Sequence, residues 1–401
     1  MAILLKNLSL LKNTRLTLIG ATGVRYVCDM KRIVAIISAR ASYSRVRALL
    51  IELNKSKELE LRIVLTASAT SGRYGNLDQF IAEDGLTINW RIESQSDASL
   101  ESSMARTTAQ TLLGLTDYLQ NENISGVLVV ADRHETIAGS IAGSYLSKTV
   151  FHLQGGEVTG NIDNKVRFAN SFLSDFHFVA TESAALRLRQ CGIEPSRIFV
   201  TGCPSLDIIS SVEKLEFDLS SFRGIGLSQD KLLNGKFLVV MQHPETTSSI
   251  PYRDQIQKTI ESVNNLDLPT LWIWPNSDTG SELMVGQIRK AREEGLLKNV
   301  HFERSISSEQ FIWVLMKASC LVGNSSVALR ECSLIGTPAV NIGGRQKNRD
   351  KGPNVIDVGF DSEKITRAIL SQLEIGRYPL DNLYGDGKAS TKILELIKKV
   401  I

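Results

Sequence analysis

The sequence predicts an α/β protein made of two doubly wound domains that face a cleft. Three observations predict it: short β-branched runs alternate with longer amphipathic stretches, the alternation breaks once, and it then restarts for a second block of similar size. A chain of 401 residues, 43% apolar and 22% charged, can build two or three compact cores. That composition excludes disorder over most of its length.

Residues 1–29 come first. Leu16–Gly20 is a short apolar run broken by Thr, Arg and Gly, too weak for a cleavable signal. No apolar run in the chain reaches the roughly 18–20 residues of a membrane span. The stretch reads as an N-terminal extension, unstructured or the product of an upstream start, with a targeting segment as the lesser alternative. Met30-Lys31-Arg32 then opens a strand over 33–37. Further strands are expected over 61–65, 126–130, 149–153 and 198–200, with helices over 44–53, 107–119, 136–146 and 182–190. These make a first Rossmann-like domain, 30–210. Residues 215–234 mix charge, Ser and Gly without sustained periodicity and read as a linker or long surface connection. The alternation restarts at 237–241 and continues through strands over 271–274, 300–302, 320–322, 338–341 and 355–357, giving a second domain, 211–385. A C-terminal helix follows within 386–401.

Charge and cysteine usage narrow the function. The net charge of +3 lies wholly before Met30, where Lys6, Lys12, Arg15 and Arg25 face Asp29, and leaves 42 basic against 42 acidic residues beyond. So even a balance gives no footprint for long nucleic acid or an anionic membrane surface. The five cysteines, Cys28, Cys191, Cys203, Cys320 and Cys332, are sparse and never two or three apart. That spacing excludes a disulfide scaffold and a zinc ribbon, and it fits a reducing, cytoplasmic setting. No metal-ligand spacing occurs, nor a Gly-x-Gly-x-x-Gly after the first strand, nor a Walker-type lysine loop. No cofactor is therefore expected.

Polar residues crowd directly after the strands, where an α/β protein keeps its ligands. After the first strand, Arg40 and Arg45 stand near a helix start and suit a pyrophosphate; helix capping by Ser42 or Ser44 beside two solvated arginines is the plain alternative. Asp132-Arg133-His134-Glu135 ends the apolar run 127–130, and one helix cap does not account for four such residues. Gln154-Gly155-Gly156-Glu157, with Asp163 and Arg167 beyond, combines glycines that admit close backbone approach with carboxylates able to move protons. His243 occupies a loop after the first strand of the second block. Gly323-Asn324-Ser325-Ser326 offers hydroxyls and N–H groups to a phosphate at a helix start, and Glu331 two turns on can accept from a ribose diol.

In this order the segments resemble the hydrolysing UDP-N-acetylglucosamine 2-epimerases of sialic and related nonulosonic acid synthesis. The likeness runs from Met30 to the C-terminus. Its most diagnostic blocks are Gly155-Gly156-Glu157-Val158-Thr159-Gly160, Gly323-Asn324-Ser325-Ser326, Asn341-Ile342-Gly343-Gly344-Arg345-Gln346 and Tyr384-Gly385-Asp386-Gly387-Lys388-Ala389. The resemblance implies a GT-B-like fold, two Rossmann-like domains flanking a central cleft, with the last helix crossing back to the first domain. It implies that Arg40, His243, Ser325 and Ser326 contact the diphosphate, that Arg45 fills a basic position, and that Glu331 holds the ribose. It further implies that Asp132, Glu157 or Gln154, and Asp163 surround the sugar with Arg167 orienting them, and that Asn276 and Asp278 face the cleft. UDP would be eliminated to a glycal and water added to give N-acetylmannosamine, with a UDP-sugar substrate, no metal or redox cofactor, and a homodimer as the assembly. Ser42, Gln154 and Phe168 depart from residues common in the family. Three other readings compete: the same reaction on a 2,4-diacetamido-trideoxy sugar nucleotide as in legionaminic acid synthesis, a GT-B glycosyltransferase, and a nucleotide-sugar-binding protein without catalysis.

Overall fold

The computed structural model describes residues 14–18, 24–28, 30–71, 77–96, 102–159, 162–213, 215, 222, 224–275, 280–304 and 306–401. Within 1–29, where no element was expected, β1 (Thr14–Leu18) and β2 (Val24–Cys28) pair antiparallel as a hairpin of their own.

The first half then runs β3 (Lys31–Ile37), α1 (Arg40–Lys55), β4 (Leu59–Thr66), α2 (Leu77–Glu83), β5 (Ile88–Ile92), α3 (Ser103–Asn121), β6 (Gly126–Val130), α4 (Thr136–Tyr145), β7 (Thr149–Leu153), α5 (Ile162–Leu173), β8 (Phe176–Val179), α6 (Glu182–Gln190), β9 (Ile198–Val200) and α7 (Ile209–Val212). Its sheet has the order β5-β4-β3-β6-β7-β8-β9 and every pairing is parallel. Strands such as Gly126–Val130 are buried throughout, which is why they read as continuous apolar runs.

The second half runs β10 (Ile225–Gly226), α8 (Gln229–Leu233), β11 (Leu238–Met241), α9 (Tyr252–Leu266), β12 (Thr270–Ile273), α10 (Ser281–Glu293), β13 (Val300–Glu303), α11 (Ser308–Lys317), β14 (Cys320–Gly323), α12 (Glu331–Ile335), β15 (Ala339–Ile342), β16 (Val355–Val358), α13 (Ser362–Ile375) and α14 (Ala389–Val400). Its order is β10-β13-β12-β11-β14-β15-β16, parallel except for the edge strand β10. The stretch read as a linker thus contributes β10 and α8 to this domain, because Leu232 is fully buried and Phe222 nearly so. Leu206, Ile209 and Val212 pack in one cluster with Phe237, Val239 and Leu321, so the chain around 210 is shared between the halves.

The last helix, α14, lays Ile393, Leu394 and Ile397 among first-domain residues including Ile33, Leu49, Leu53 and Phe151. Each such side chain contributes ~1.5–3 kcal/mol by leaving water. Its N-terminus is held by Asp207, whose carboxylate accepts from the N–H groups of Ala389 and Ser390 at 2.9 and 2.6 Å. Among the described residues no helix is long and apolar enough to cross a membrane.

Both sheets reverse their winding at an inner pair of strands: β3 and β6 in the first, β11 and β14 in the second. In open parallel sheets the crevice at the carboxyl ends of such a pair receives the ligand. The residues that follow these four strands therefore border that crevice.

Candidate active site

The helix after β3 starts earlier than the expected 44, at Arg40, and its N-cap residue Ala39 offers no side-chain bond. Its first N–H groups are thus left to something other than a capping hydroxyl. Arg40 and Arg45 lie in the first two turns. Arg40 Nη2 reaches the Ile306 carbonyl of the second domain at 3.4 Å, and its guanidinium lies 5.0 Å from the centre of the Phe80 ring.

At the end of β6, Ala131 adopts a left-handed φ of 59°, a strained conformation for a residue with a Cβ. It is held there by its N–H on the Leu153 carbonyl at 3.0 Å and by His152 Nε2 on its own carbonyl at 2.9 Å. The turn delivers Asp132, nearly buried, whose carboxylate pairs with the Arg167 guanidinium and lies 3.9 Å from Arg45 Nη1. The next acid serves a different purpose. Glu135, fully buried, is balanced by Arg133 Nε at 2.6 Å, with His134 Nδ1, on an imidazole that burial holds below its ordinary pKa, at 3.0 Å.

At the end of β7, Gln154 is also left-handed, at φ 60°. Its amide donates to Cys203 Sγ at 2.9 Å, and Ser205 Oγ lies 3.1 Å from the same sulfur. Gly156 must be glycine: its φ is +72° and a Cβ would sit 2.3 Å from the Ala184 carbonyl oxygen. This close seating on α6 presents Glu157, whose carboxylate pairs with Arg349 of the second domain and whose carbonyl accepts from Arg167 Nη1 at 2.8 Å. Asp163 sits in the first turn of α5, one helical turn before Arg167.

The second domain mirrors this construction. Gly323 ends β14 at φ +135°, where a Cβ would fall 2.0 Å from the Met241 carbonyl oxygen. Asn324 then clamps the loop after β11 from both sides, accepting from the His243 N–H at 2.7 Å and donating to its carbonyl at 2.8 Å. His243 is thereby fixed beside Ser325, which caps the following turn, and beside Ser326, whose hydroxyl accepts from the buried Arg330. Glu331 Oε1 accepts from Ser205 at 2.7 Å while its Oε2 is buried without a hydrogen-bond partner.

Arg40, Arg45, His243, Ser325, Ser326, Arg330 and Glu331 line one interdomain cleft of about 1310 Å³. Its electrostatics are dominated by cations. The Arg45 guanidinium is pushed down to about 9 by burial and then by Arg330 and Arg349. Burial, then Arg45 and Arg330, press Arg167 to about 9. These groups stay protonated at neutral pH and repel one another, and a polyanion entering among them relieves that repulsion. Behind the residues that line this anion-binding wall stand two buried carboxylates, Asp132, paired with Arg167 and 3.9 Å from Arg45, and Glu157, paired with Arg349. The arrangement can hold a diphosphate and move a proton a short distance from it.

Of the residues singled out in the sequence, nine meet through direct contacts or the common cleft: Arg40, Arg45, His243, Ser325, Ser326, Glu331, Asp132, Arg167 and Glu157. Gln154 is turned toward Cys203. Asn276 and Asp278 lie outside the described residues. Sequence reasoning gave no role to Arg330, Arg349, Ser205 or Cys203. Arg330 stands directly before Glu331, a signal that was available, whereas nothing local to Arg349 points to its partner.

A family profile described as UDP-N-acetylglucosamine 2-epimerase matches residues 51–398. A UDP-N,N'-diacetylbacillosamine 2-epimerase (hydrolyzing) of Legionella pneumophila is 32% identical over 371 residues, 92% of this chain and 96% of the relative. A UDP-N-acetylglucosamine 2-epimerase of Neisseria meningitidis serogroup B is 30% identical, covering 90% and 93%. Among solved structures, the UDP-GlcNAc 2-epimerase from Neisseria meningitidis bound to UDP-GlcNAc superposes with a TM-score of 0.75 at 18% identity, covering 92% of this chain and all of that one. The shared fold is GT-B-like.

Proposed function

The chain belongs to the UDP-N-acetylglucosamine 2-epimerase family, and from that premise we propose that it is a hydrolysing 2-epimerase that takes UDP-N-acetylglucosamine to UDP and N-acetylmannosamine. The observation that carries this reading is the juxtaposition of a cationic interdomain cleft with the buried, arginine-paired carboxylates Asp132 and Glu157.

The chemistry explains why both are wanted. The C2 proton of an N-acetylhexosamine is not acidic, so abstracting it directly meets a prohibitive barrier. Elimination avoids it: the C1–oxygen bond breaks and its electrons leave with the diphosphate, while a carboxylate takes the C2 proton and the C1–C2 double bond of a glycal forms. Water then adds across that bond, its hydroxyl to C1 and a proton to C2 on the opposite face. In this reading Arg40, Arg45, His243, Ser325 and Ser326 stabilise the departing diphosphate, and Glu331 holds the ribose. Asp132, Glu157 and Asp163 handle the protons, each such group contributing typically ~10²–10⁴ in rate. No step calls for a metal or a redox cofactor. Gln154, turned toward Cys203, shapes the sugar side of the site and shuttles no proton.

A second substrate, UDP-N,N'-diacetylbacillosamine, is favoured by one observation: the 32% identical Legionella relative is named for it. One experiment addresses the whole reading. The purified chain is incubated with each sugar nucleotide in deuterated water, and UDP release and deuterium at C2 of the freed sugar are followed. Release with C2 deuterium supports the proposal, and the faster substrate identifies the sugar. Binding without release, or release that requires an added acceptor, would sink it.

A further inference from the structure

Arg349 and Asp350 follow β15 in the second domain, yet their side chains engage the first. The Arg349 guanidinium, 6% exposed, pairs through Nη2 with Glu157 Oε2. Asp350 accepts from Thr181 Oγ1 at 2.8 Å and lies 3.7 Å from Arg187 Nη2, while Arg187 Nη1 returns to the Gly156 carbonyl at 3.2 Å. A circuit of alternating charge therefore closes on both sides of the Gly156–Glu157 peptide. Tyr384 fastens it from the strap that leads to α14, its hydroxyl on the Asp350 carbonyl at 2.7 Å and its own carbonyl accepting from the Cys203 N–H at 2.7 Å.

The other end of Arg349 leads to the phosphate side. Its Nη1 donates to Gln346 Oε1 at 3.0 Å, and Gln346 Nε2 donates to the Asn324 carbonyl at 2.9 Å, one residue before Ser325. An unbroken set of contacts thus joins the loop that would grip the diphosphate to the carboxylate that would move the proton. One Glu157 oxygen is occupied by the arginine, and the other, Oε1, is buried with no hydrogen-bond partner. An orphaned lone pair beside a fixed cation is what a proton acceptor held in its ionised form needs.

Resting on the epimerase reading, we propose that Arg349 is a positioning residue: it holds Glu157 ionised and in place only when the second domain is seated on the first, so that diphosphate binding and readiness for proton transfer are set together. Arg349 touches no reacting atom in this account. It acts through Glu157.

The test uses the full chain with UDP-N-acetylglucosamine, measuring kcat and KM for UDP release across pH 5–9 for the wild type, R349Q, R349K, E157Q, E157Q/R349Q and E157Q/R349K. R349Q is expected to lower kcat about 10- to 100-fold with UDP affinity within about threefold. Its acid limb should move to higher pH, because loss of the cation favours the protonated carboxyl. The double variant should be no worse than E157Q, since the two residues act as one unit. R349K keeps the charge but loses the fork, and it covers the case in which R349Q does not fold: its loss of kcat must likewise vanish in the E157Q background. An unchanged kcat and acid limb in R349Q, or losses that multiply in the double variants, would overturn the assignment and leave the epimerase reading standing. No UDP release by the wild type would overturn both.

Discussion

At the scale of single residues, Asp132 and Glu331 divide the site between chemistry and binding. Asp132 is fixed by Arg167 and lies within 3.9 Å of Arg45, so replacing it by Asn keeps the shape and removes the base. Asp132→Asn is expected to lower kcat by about 10²–10⁴ while UDP affinity stays within a few-fold. Near-normal turnover would remove its proton-transfer role. Glu331 is instead held by Ser205, and its other oxygen, buried and 3.9 Å from Arg330 Nε, has no hydrogen-bond partner and is left for a ribose hydroxyl. Losing a hydrogen bond to a charged acceptor costs about 1.5–3 kcal/mol, so Glu331→Ala should weaken UDP about 10- to 100-fold in calorimetry. Equal affinity would cancel the ribose assignment.

At the scale of elements, β7 and β8 carry a buried histidine pair behind the site, His152 and His177, with ring centres 6.5 Å apart. His152 is satisfied by the Ala131 carbonyl and Ser171, whereas neither ring nitrogen of His177 has a hydrogen-bond partner. Burial lowers His152 to about 4, and burial followed by His152 lowers His177 to about 3. Both are neutral in the fold and would titrate near 6.5 when unfolded. The unfolded chain therefore binds protons first, and stability present above pH 6.5 is lost as pH falls toward those folded values. The loss approaches ~1.4 kcal/mol per pH unit for each histidine. Urea midpoints at pH 7, 6 and 5 should show His177→Phe to be less acid-sensitive than the wild type. A parallel pH dependence would count against the neutral-histidine account.

The elements also show how far the sequence reaches. Strands buried on both faces announce themselves as apolar runs, and so the central strands around both reversal points are legible to within a residue or two. Two edge strands are not, since β5 is half solvated and β10 is two residues whose pairing with β13 is a tertiary fact, whereas the edge strands β9 and β16 are legible at 198–200 and 355–357. The same contrast governs the site. Asp132, His243 and Ser325 stand out because polar residues directly after apolar strands are conspicuous. Arg349 does not, because its partner Glu157 lies in the other domain and no local pattern encodes that pairing. Likewise the run from Asp132 to Glu135 looks like four active groups in the sequence, and only packing shows that Glu135 spends its charge on Arg133.

For the whole molecule, the cleft is where the two halves meet and also where like charges accumulate. Arg40, Arg45 and Arg167 come from the first domain and Arg330 and Arg349 from the second, with Arg45 pressed down to about 9 partly by the two from across the gap. Closing the domains without an anion therefore works against this repulsion, offset by the ion pairs of Arg349 with Glu157 and Arg47 with Glu309. A diphosphate reverses the balance and binds both halves at once. UDP at about 100 times its Kd should add ~2.7 kcal/mol to unfolding, read as a rise in Tm of several degrees. Uridine, lacking the phosphates, should add far less at the same concentration. The UDP effect should also shrink between low and high salt as the charges are screened. If uridine stabilised as well as UDP, or if salt left the shift unchanged, the arginines would not be what receives the ligand, and the cleft's cationic wall would have no part in closing the two domains.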